Sequence, residues 1–398
     1  MTQDTGVRME ADDDKRDVGR LGLALSGGGV RAAVFHLGVL RCLADRRVLE
    51  DVTHLSTVSG GSLIVAAVMA TNRLRWPGSS AYRETVFPAL RTLLTSRDLF
   101  SLGAIGLGSA IRYNIGLFTR RAEILVQLLR QQWNIDAALR DLPDTPVWWI
   151  NTTCLETGKN WRFSKREMGD WQFGRHYAPP FTVAQAAAAS AAVPYAIGAL
   201  NLKLPADGWY ATDPATRTAR NPIRPPLSSV RLWDGGAYEN LGLEPLYKPN
   251  QGLVDCDYLI CSDASGPLST APSGPLARLF KGQLASPRLF DIASDQIRAL
   301  RSRMFMDAVA RGRVRGVLLR IGNSTRGLDL KSGRTRSAPT YDDFSSEREV
   351  ATAANHPTDL NALSCATFDR IARHGYEVAD QTLSIYAPQQ FPKSEGAR

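Results

Sequence analysis

The sequence has few of the residues that build disulfide frameworks and metal centres. Its 398 residues include five cysteines and five histidines. The cysteines are widely scattered, lack the short spacings of zinc ligands and lie mostly in apolar stretches. We therefore expect buried thiols in a reducing compartment, with no disulfide framework and no zinc site.

The sequence also lacks clear targeting and membrane-spanning segments. Residues 1–20 carry charges of both signs and no apolar core, which predicts a disordered leader and not a signal peptide. Residues 177–202 contain no charged side chain and are long enough to span a bilayer. They are rich in alanine and interrupted by Pro194, so we expect a small-residue helix packed inside the protein. A cytoplasmic protein without a transmembrane helix is the resulting expectation.

No internal repeat, heptad pattern or Pro/Ser-rich linker divides the chain. We expect one domain over residues 21–390, with a motif-bearing core at 21–266 and a basic helical and strand extension at 267–390. A short tail follows at 391–398. The net charge of +9 and the pI near 9.5 indicate attraction to anionic partners. The arginine-rich run at 278–315 is typical of a solvated helix face, with lipid or nucleic-acid contact as the alternative.

Two strand-loop-helix units follow the leader. "LGLAL" is a short apolar segment that leads through three glycines into a helical pattern from Ala32. "DVTHLSTV" leads through a Ser-Gly-Gly-Ser turn into an apolar helix. Further strands are expected in "VWWINTTC", "SSVRLWD", "DYLICSD" and "GVLLRIG", and a last amphipathic helix in "CATFDRIARHGYEVADQTLSIY". The pattern predicts an α/β fold with a central, mostly parallel sheet flanked by helices.

The glycine loop in "LALSGGGVRAAVF" has two interpretations. Backbone N–H groups at a helix start bind phosphate, and Gly27, Gly29 and Ala32 fit a dinucleotide fingerprint. The acidic residues Glu50 and Asp51, however, come before the second strand, where a ribose-binding acid does not belong. The same N–H groups could instead bind the oxyanion that develops in acyl transfer, which requires a nucleophile.

Ser59 in "THLSTVSGGSL" is the candidate nucleophile. It falls at a strand-turn-helix junction whose small neighbours permit the sharp turn of a nucleophile elbow. Of the usual GxSxG pattern, the sequence keeps only the second glycine, Gly61. Ser56 and Ser62 compete less well, because one lies in the strand and the other within the helix. The alternative for Ser59 is a helix N-cap.

The base that would activate a serine is not evident among the histidines. No histidine lies in a turn after a convincing strand; His36 is expected in a packed helix and His54 before a strand. Asp234 in "RLWDGGAY" ends an apolar strand and is followed by two glycines, so it is the candidate base. An ordinary Asp-Gly turn is the alternative. Asp207 in "LPADGW" has no strand before it and is less suitable.

Three segments in this order, "SGGGVR", "STVSGGS" and "WDGGAYENLG", resemble the patatin-like phospholipases, a family that includes domains similar to the cytosolic phospholipase A2 catalytic domain. "AAAASAAVPYAI" and "DYLICSDASG" are similar to two further family segments, so the resemblance covers residues 21–266. It departs from the fullest pattern at Ser26 before the loop and Ala32 after it. It implies a Ser-Asp dyad without histidine and without a cofactor.

The resemblance assigns roles to individual residues. It implies that Ser59 is the nucleophile, that Asp234 is the general base and that Gly27, Gly28 and Gly29 line the oxyanion hole. The remaining motif positions, expected to support these, are Arg31, Gly61, Gly235 and Gly236.

The implied activity is lipid acyl hydrolysis of the phospholipase A or lysophospholipase type, through an acyl-enzyme. Phospholipids or other acyl-ester lipids are the implied substrates, with peripheral contact to an anionic membrane surface, no nucleic acid and an undetermined protein activator. Residues 99–121 are apolar, rich in glycine and edged by arginine, which fits a mobile lid or a buried connecting helix. A non-catalytic lipid-binding or scaffold protein and an acyltransferase are the alternative functions.

Overall fold

The structure is a computed structural model. It describes residues 18–97, 121–194, 197–213, 219–268, 286–334, 341–358 and 360–393. The expected leader is described only from residue 18, the expected tail only to residue 393, and the segment at 99–121 only at Arg121.

One sheet of 12 strands organises these residues. Its strands are β1 Leu21–Leu25, β2 Val52–Val58, β3 Val147–Cys154, β4 Asn160–Phe163, β5 Glu167–Asp170, β6 Gly174–Tyr177, β7 Leu200–Lys203, β8 Trp209–Thr212, β9 Ala219–Ile223, β10 Ser229–Asp234, β13 Tyr258–Asp263 and β14 Gly316–Arg320. A separate small sheet pairs β11 Tyr247–Lys248 with β12 Gly252–Leu253.

The sheet has a parallel centre and an antiparallel arm. Strands β14, β13, β1, β2 and β3 are parallel neighbours in that order. Beyond β3 the sheet continues antiparallel through β4, β5, β6, β8 and β9, while β10 pairs antiparallel with β3 and β7. All five residues of β1 are buried, as expected for a central strand covered on both faces. The predicted α/β fold with its central parallel sheet is confirmed.

The helices cover this sheet. They are α1 Gly29–Asp45, α2 Gly60–Thr71, α3 Ser79–Ala81, α4 Phe87–Ser96, α5 Arg121–Gln132, α6 Val183–Ser190, α7 Ser286–Ala310, α8 Thr325–Lys331, α9 Glu347–Ala354 and α10 Cys365–Tyr386. A π-helical turn, Tyr82–Val86, joins α3 to α4. The two predicted strand-loop-helix units are β1-α1 and β2-α2.

Successive side chains of the central strands point to opposite faces of the sheet, so they contribute to two separate apolar clusters. Leu23 and Ile260 belong to the larger cluster, which includes side chains of α1, α2 and α10. Ala24 and Leu259 face the other way, into a smaller cluster that includes Phe305 of α7. Helices therefore lie on both faces of the parallel centre, as crossover connections require. Of the five cysteines, four are buried and Cys365 is exposed.

The expected helix within residues 177–202 is much shorter than its charge-free stretch. α6 ends at Ser190, and residues 177 and 200–202 belong to strands β6 and β7. Thr182 caps the start of α6: its hydroxyl oxygen accepts the Gln185 N–H at 3.2 Å, and the Gln185 carboxamide oxygen accepts the Thr182 N–H at 2.9 Å. The helix is packed inside as expected, but the cap and Pro194 confine it to eight residues. In the part of the chain that the structure describes, no helix is long and apolar enough to cross a membrane.

Helices α1 and α10 cross at two glycines. A Cβ on Gly38 would collide with the Ala372 carbonyl oxygen, and one on Gly375 with the Phe35 carbonyl oxygen. The two backbones therefore touch, which seats α1, and the glycine loop before it, against the C-terminal helix.

Candidate active site

Strands β2 and β10 approach each other head to head along one edge of β3. Val58, the last residue of β2, pairs with Asn151, and Asp234, the last residue of β10, pairs with the adjacent Thr152. The carboxyl ends of a parallel and an antiparallel strand therefore meet. This register brings Ser59 beside Asp234, although 175 positions separate them in the sequence.

Ser59 occupies a strained turn between β2 and α2. Its φ of 51° and ψ of −120° lie in a region that residues other than glycine rarely adopt. Ser59 occupies the N-cap position of α2, but its side chain makes no capping hydrogen bond to the helix. The turn needs its glycines: a Cβ on Gly60 would collide with the Gly29 carbonyl oxygen, and one on Gly61 would lie 2.5 Å from the Leu25 carbonyl oxygen. The geometry is that of a nucleophile elbow.

Asp234 is a buried carboxylate aimed at this serine. The Ser59 side chain lies close enough to lower the pKa of this carboxylate, and the Gly236 N–H donates to its Oδ1 at 2.7 Å. Burial raises the pKa of Asp234 to about 6, and the Ser59 side chain and the Gly236 N–H act in the opposite direction. The group is thus a carboxylate near neutral pH that can take up a proton at little cost. Gly235 is required beside it, because a Cβ there would lie 2.5 Å from the Asn151 carbonyl oxygen.

The glycine loop runs past Ser59 into α1. A Cβ on Gly27 would lie 2.9 Å from the Ser59 Cβ, and Gly28 and Gly29 have φ values of 140° and 61°. The Gly27 N–H donates to the Asn240 carbonyl oxygen at 3.0 Å. Within the described ranges no acceptor binds the N–H of Gly28 or Gly29. These two groups lie at the positive end of α1, where an anion would be stabilised.

Buried polar side chains hold the loop in place. The Arg31 Nε donates to the Ala264 carbonyl oxygen at 3.3 Å and its Nη1 to the His356 carbonyl oxygen at 2.6 Å, while desolvation lowers the Arg31 pKa to about 10. The His36 ring lies within hydrogen-bond distance of the Ser26 carbonyl oxygen, at 2.9 Å from Nε2, and of the Ser262 hydroxyl, at 3.0 Å from Nδ1. Burial lowers the His36 pKa to about 4. His36 is therefore the packed helix residue that was expected.

The sequence reasoning missed the role of Ser190, at the end of α6. Its Oγ accepts the Ser59 N–H at 2.9 Å and donates to the Asn151 carbonyl oxygen at 2.7 Å. It also lies 2.8 Å from the Ser62 hydroxyl, which is 2.8 Å from the Thr57 hydroxyl. A buried chain of hydroxyls therefore supports the elbow from behind. The available signal was one serine inside the alanine run "AAAASAAVP".

A cavity of about 310 Å³ opens over Ser59 and Asp234. The glycine loop, the turn after β10 and the loop after β13 form part of its wall. The start of α7 forms another part, through Phe290, Ser294 and Arg298. The volume is at the lower end for small-molecule sites, sufficient for the reacting part of an ester.

The other candidates lie elsewhere or serve the fold. Asp207 is exposed in the turn between β7 and β8. Glu50 and Asp51 precede β2, and Glu50 binds the Ser79 hydroxyl. The structure therefore adds no support to the dinucleotide interpretation of the glycine loop. Among the described residues, no three His, Cys, Asp or Glu side chains are placed to hold a metal ion.

The chain is similar in fold to a cytosolic phospholipase. The structure of human GIVD cytosolic phospholipase A2 superposes with a TM-score of 0.55 at 13% identity, over 94% of this chain and 60% of that one. A second structure of that human enzyme, in complex with methyl γ-linolenyl fluorophosphonate and terbium chloride, gives a TM-score of 0.51 at 13% identity, over 94% and 59%. The chain thus spans about three-fifths of the length of these proteins. Likeness at this identity concerns the fold.

Comparison with curated protein sequences gave no significant match. The model of the patatin-like phospholipase family matches residues 23–247, more than half of the chain, and these residues contain the glycine loop, Ser59 and Asp234. The chain therefore belongs to the patatin-like phospholipase family, and this membership supports a lipid hydrolase.

Proposed function

We propose that this protein is a lipid acyl hydrolase that uses Ser59 as nucleophile and Asp234 as general base. The observation that carries the proposal is the proximity of Ser59, held in a strained turn, to Asp234, a buried carboxylate whose pKa is about 6, on the wall of one cavity. A serine hydroxyl is a weak nucleophile until a base accepts its proton. A base that titrates just below neutral pH is well matched to that task.

In the first half-reaction, Asp234 takes the hydroxyl proton while the Ser59 Oγ forms a bond to the ester carbonyl carbon. The carbonyl π electrons move onto oxygen, and the Gly28 and Gly29 N–H groups stabilise the oxyanion. Collapse of the intermediate breaks the ester C–O bond, and the protonated Asp234 returns the proton to the leaving alcohol. An acyl-enzyme on Ser59 remains.

In the second half-reaction, Asp234 takes a proton from a water that attacks the acyl carbonyl carbon. The bond to the Ser59 Oγ then breaks, and the oxygen regains a proton from Asp234 as the fatty acid leaves. Apart from the ester and the water, both steps use only groups of this chain, and the support for them is the cavity and the burial of Asp234 described above.

The test uses Ser59→Ala and Asp234→Asn proteins against a p-nitrophenyl ester and a fluorogenic phospholipid. We expect both variants to lose turnover by at least about 10²-fold to 10⁴-fold. The matched controls are Ser294→Ala, a second serine of the cavity wall, and Asp207→Asn, an exposed aspartate. Both controls should keep wild-type turnover. Full activity in either site variant would overturn the dyad.

A second measurement identifies the covalent step. A fluorophosphonate should label Ser59 in the wild type, as located by peptide mass spectrometry, and should fail to label Ser59→Ala. Products formed from a mixed lipid extract, with Ser59→Ala as control, define the substrate and separate free fatty acid from acyl transfer to another acceptor. Labelling confined to another serine would contradict the assignment.

A further inference from the structure

Helix α7 has an unusual outer face. Ten large hydrophobic side chains are exposed among the described residues, and five of them lie on this helix. They are Leu289 at 65%, Ile292 at 39%, Leu300 at 53%, Met304 at 42% and Met306 at 38% exposure. At about 100° per residue, four of these, all but Met306, fall within an arc of about 120°. We call these five residues the outer face of α7.

The inner face of the same helix is firmly anchored. Phe305 is buried, its ring 5.4 Å from that of Tyr247, and Ala308 packs in the same cluster. Arg298 pairs with Asp263 at 3.0 Å, and Arg301 pairs with Glu244 at 3.0 Å. The outer face is therefore a defined surface on a fixed helix.

We propose that the outer face of α7 is the surface by which the protein docks on an anionic lipid bilayer. This inference rests on the proposed function, because it assigns the route by which a lipid reaches the same cavity. Contiguous exposed apolar side chains mark interaction surfaces, and an apolar helix face bordered by cations suits the bilayer interface.

The charges near the face favour anionic lipid over a second copy of the chain. Arg303 is exposed on the face itself, and Arg311 and Arg313 follow the helix end. Asp307 lies among them, 2.8 Å from each of the last two arginines, and Asp291 is an exposed acidic residue beside Ile292, so the cations still outnumber the acids. An excess of cations attracts an anionic membrane surface, whereas two such faces would repel each other.

The position of the face relative to the cavity fits this role. Leu289 is adjacent to Phe290, and Ser294 and Arg298 follow on the side of α7 that lines the cavity over Ser59. The same helix thus has one side on the cavity and one side toward solvent. A bilayer on the outer face would therefore lie against the helix that forms part of the cavity wall.

The experiment measures co-sedimentation of the full chain with phosphatidylcholine vesicles, with and without phosphatidylglycerol. We expect Leu300→Glu combined with Met304→Glu to weaken binding to the anionic vesicles by at least about tenfold, because each variant removes an apolar side chain from the interface. Hydrolysis of a soluble p-nitrophenyl ester should stay at the wild-type rate. The matched control is Leu330→Glu, which alters an exposed leucine at the end of α8 and should change neither quantity.

Two further variants make the result independent of folding defects. Gln296→Leu adds an apolar side chain at an exposed position between Ile292 and Leu300, and it should strengthen vesicle binding about threefold or more. Arg303→Gln combined with Arg313→Gln should lower binding to anionic vesicles about tenfold and leave binding to neutral vesicles unchanged.

Vesicle binding requires no turnover, so its outcome is separate from that of the hydrolase test. Unchanged binding by Leu300→Glu with Met304→Glu, an equal loss in Leu330→Glu, or no gain in Gln296→Leu would each overturn the docking surface. Light scattering that shows a wild-type dimer dissociated by Leu300→Glu with Met304→Glu would also overturn it, by assigning the face to a second copy.

Discussion

The two strand ends that meet in the candidate site are held in different ways. At the end of β2, the Ser59 N–H is bound by a side chain, the hydroxyl of Ser190, which belongs to a buried chain of hydroxyls. At the end of β10, the Asp234 N–H donates to the Ala192 carbonyl oxygen at 2.9 Å, and β10 pairs with β3. The backbone N–H of Ser59, the strained residue, therefore depends on a side chain. The backbone N–H of Asp234 depends on a backbone carbonyl.

This difference follows from backbone geometry. The Asp234 N–H donates to a backbone carbonyl, a partner that almost any sequence supplies. Ser59, with positive φ, has left the ladder, so its N–H needs a partner placed there by another residue. Substitution of a residue that supports Ser59 should therefore reduce activity more than substitution of a residue that supports Asp234. Loss of the Ser59 hydroxyl or of the Asp234 carboxylate should reduce activity more than either substitution.

The largest effect on activity is expected from Asp234→Asn, which should change activity and stability in opposite directions. Activity should fall by about 10²-fold to 10⁴-fold, because an amide cannot accept the serine proton. The folded-state pKa of about 6 lies above the ordinary 3.8. The folded protein therefore binds more protons between pH 4 and 6, and its stability falls as pH rises through that window.

Asp234→Asn removes the cost of ionising a buried carboxyl group, so at pH 8 the variant should be more stable than the wild type by up to about 3 kcal/mol. Denaturant unfolding at pH 8 and pH 4 checks this, and the difference between the two proteins should shrink at the lower pH. Equal stability of the two proteins at both pH values would show that burial of the ionised Asp234 carboxylate does not destabilise the folded protein.

The next largest effect is on the pH profile of the wild type. Since the base must be ionised, kcat/KM should decrease about tenfold per pH unit below about 6, reaching about a hundredfold loss at pH 4. Initial rates with a soluble ester between pH 4 and 9 measure this limb. A profile governed by a group near pH 7.5 would instead point to a base other than Asp234.

Ser190→Ala tests the side-chain support of Ser59. It leaves the Ser59 N–H without its partner and removes one of the two partners of the Ser62 hydroxyl, so we expect a stability loss of about 1–3 kcal/mol. The value of kcat should fall about 10-fold to 100-fold as the nucleophile loses its position. KM should change little, because Ser190 does not line the cavity. A change in KM alone would assign Ser190 to substrate binding.

The smallest effect is expected from Thr153→Val behind Asp234. The Thr153 hydroxyl donates to the Asp234 carbonyl oxygen at 2.9 Å, and valine keeps the shape without the donor. Because the Asp234 N–H and the strand pairing persist, kcat should fall by less than about threefold. The same assays run beside Ser190→Ala make the comparison, and a larger loss for Thr153→Val would reverse it.

Local patterns were sufficient to predict much of the fold. The apolar strand, the bare loop and the helix at β1-α1, and the same order at β2-α2, follow from periodicity and glycines. The glycines around Ser59 and Asp234 indicated sharp turns, which the close contacts of Gly61 and Gly235 explain. These features depend on residues adjacent in the chain, where sequence reasoning is strongest.

Features that depend on distant pairing were not predicted. The head-to-head meeting of β2 and β10 is set by the register of both on β3, which no local pattern encodes. The short strands of the antiparallel arm beyond β4 have few residues each, and their partners lie across turns. The hydrogen bonds of Ser190 depend on where helix α6 ends relative to the turn at Ser59. That position is set by tertiary packing and not by local sequence.

The crossing of α1 and α10 at Gly38 and Gly375 has a consequence for cutting the chain. The family match ends at residue 247, yet β1 pairs with β13 at 258–263, Arg31 binds the carbonyl of His356, and α1 rests on α10. A fragment or chimera limited to the matched residues would carry the glycine loop, Ser59 and Asp234 and lack the surfaces that shape them. The smallest portable unit therefore extends through α10, well past the last recognisable motif.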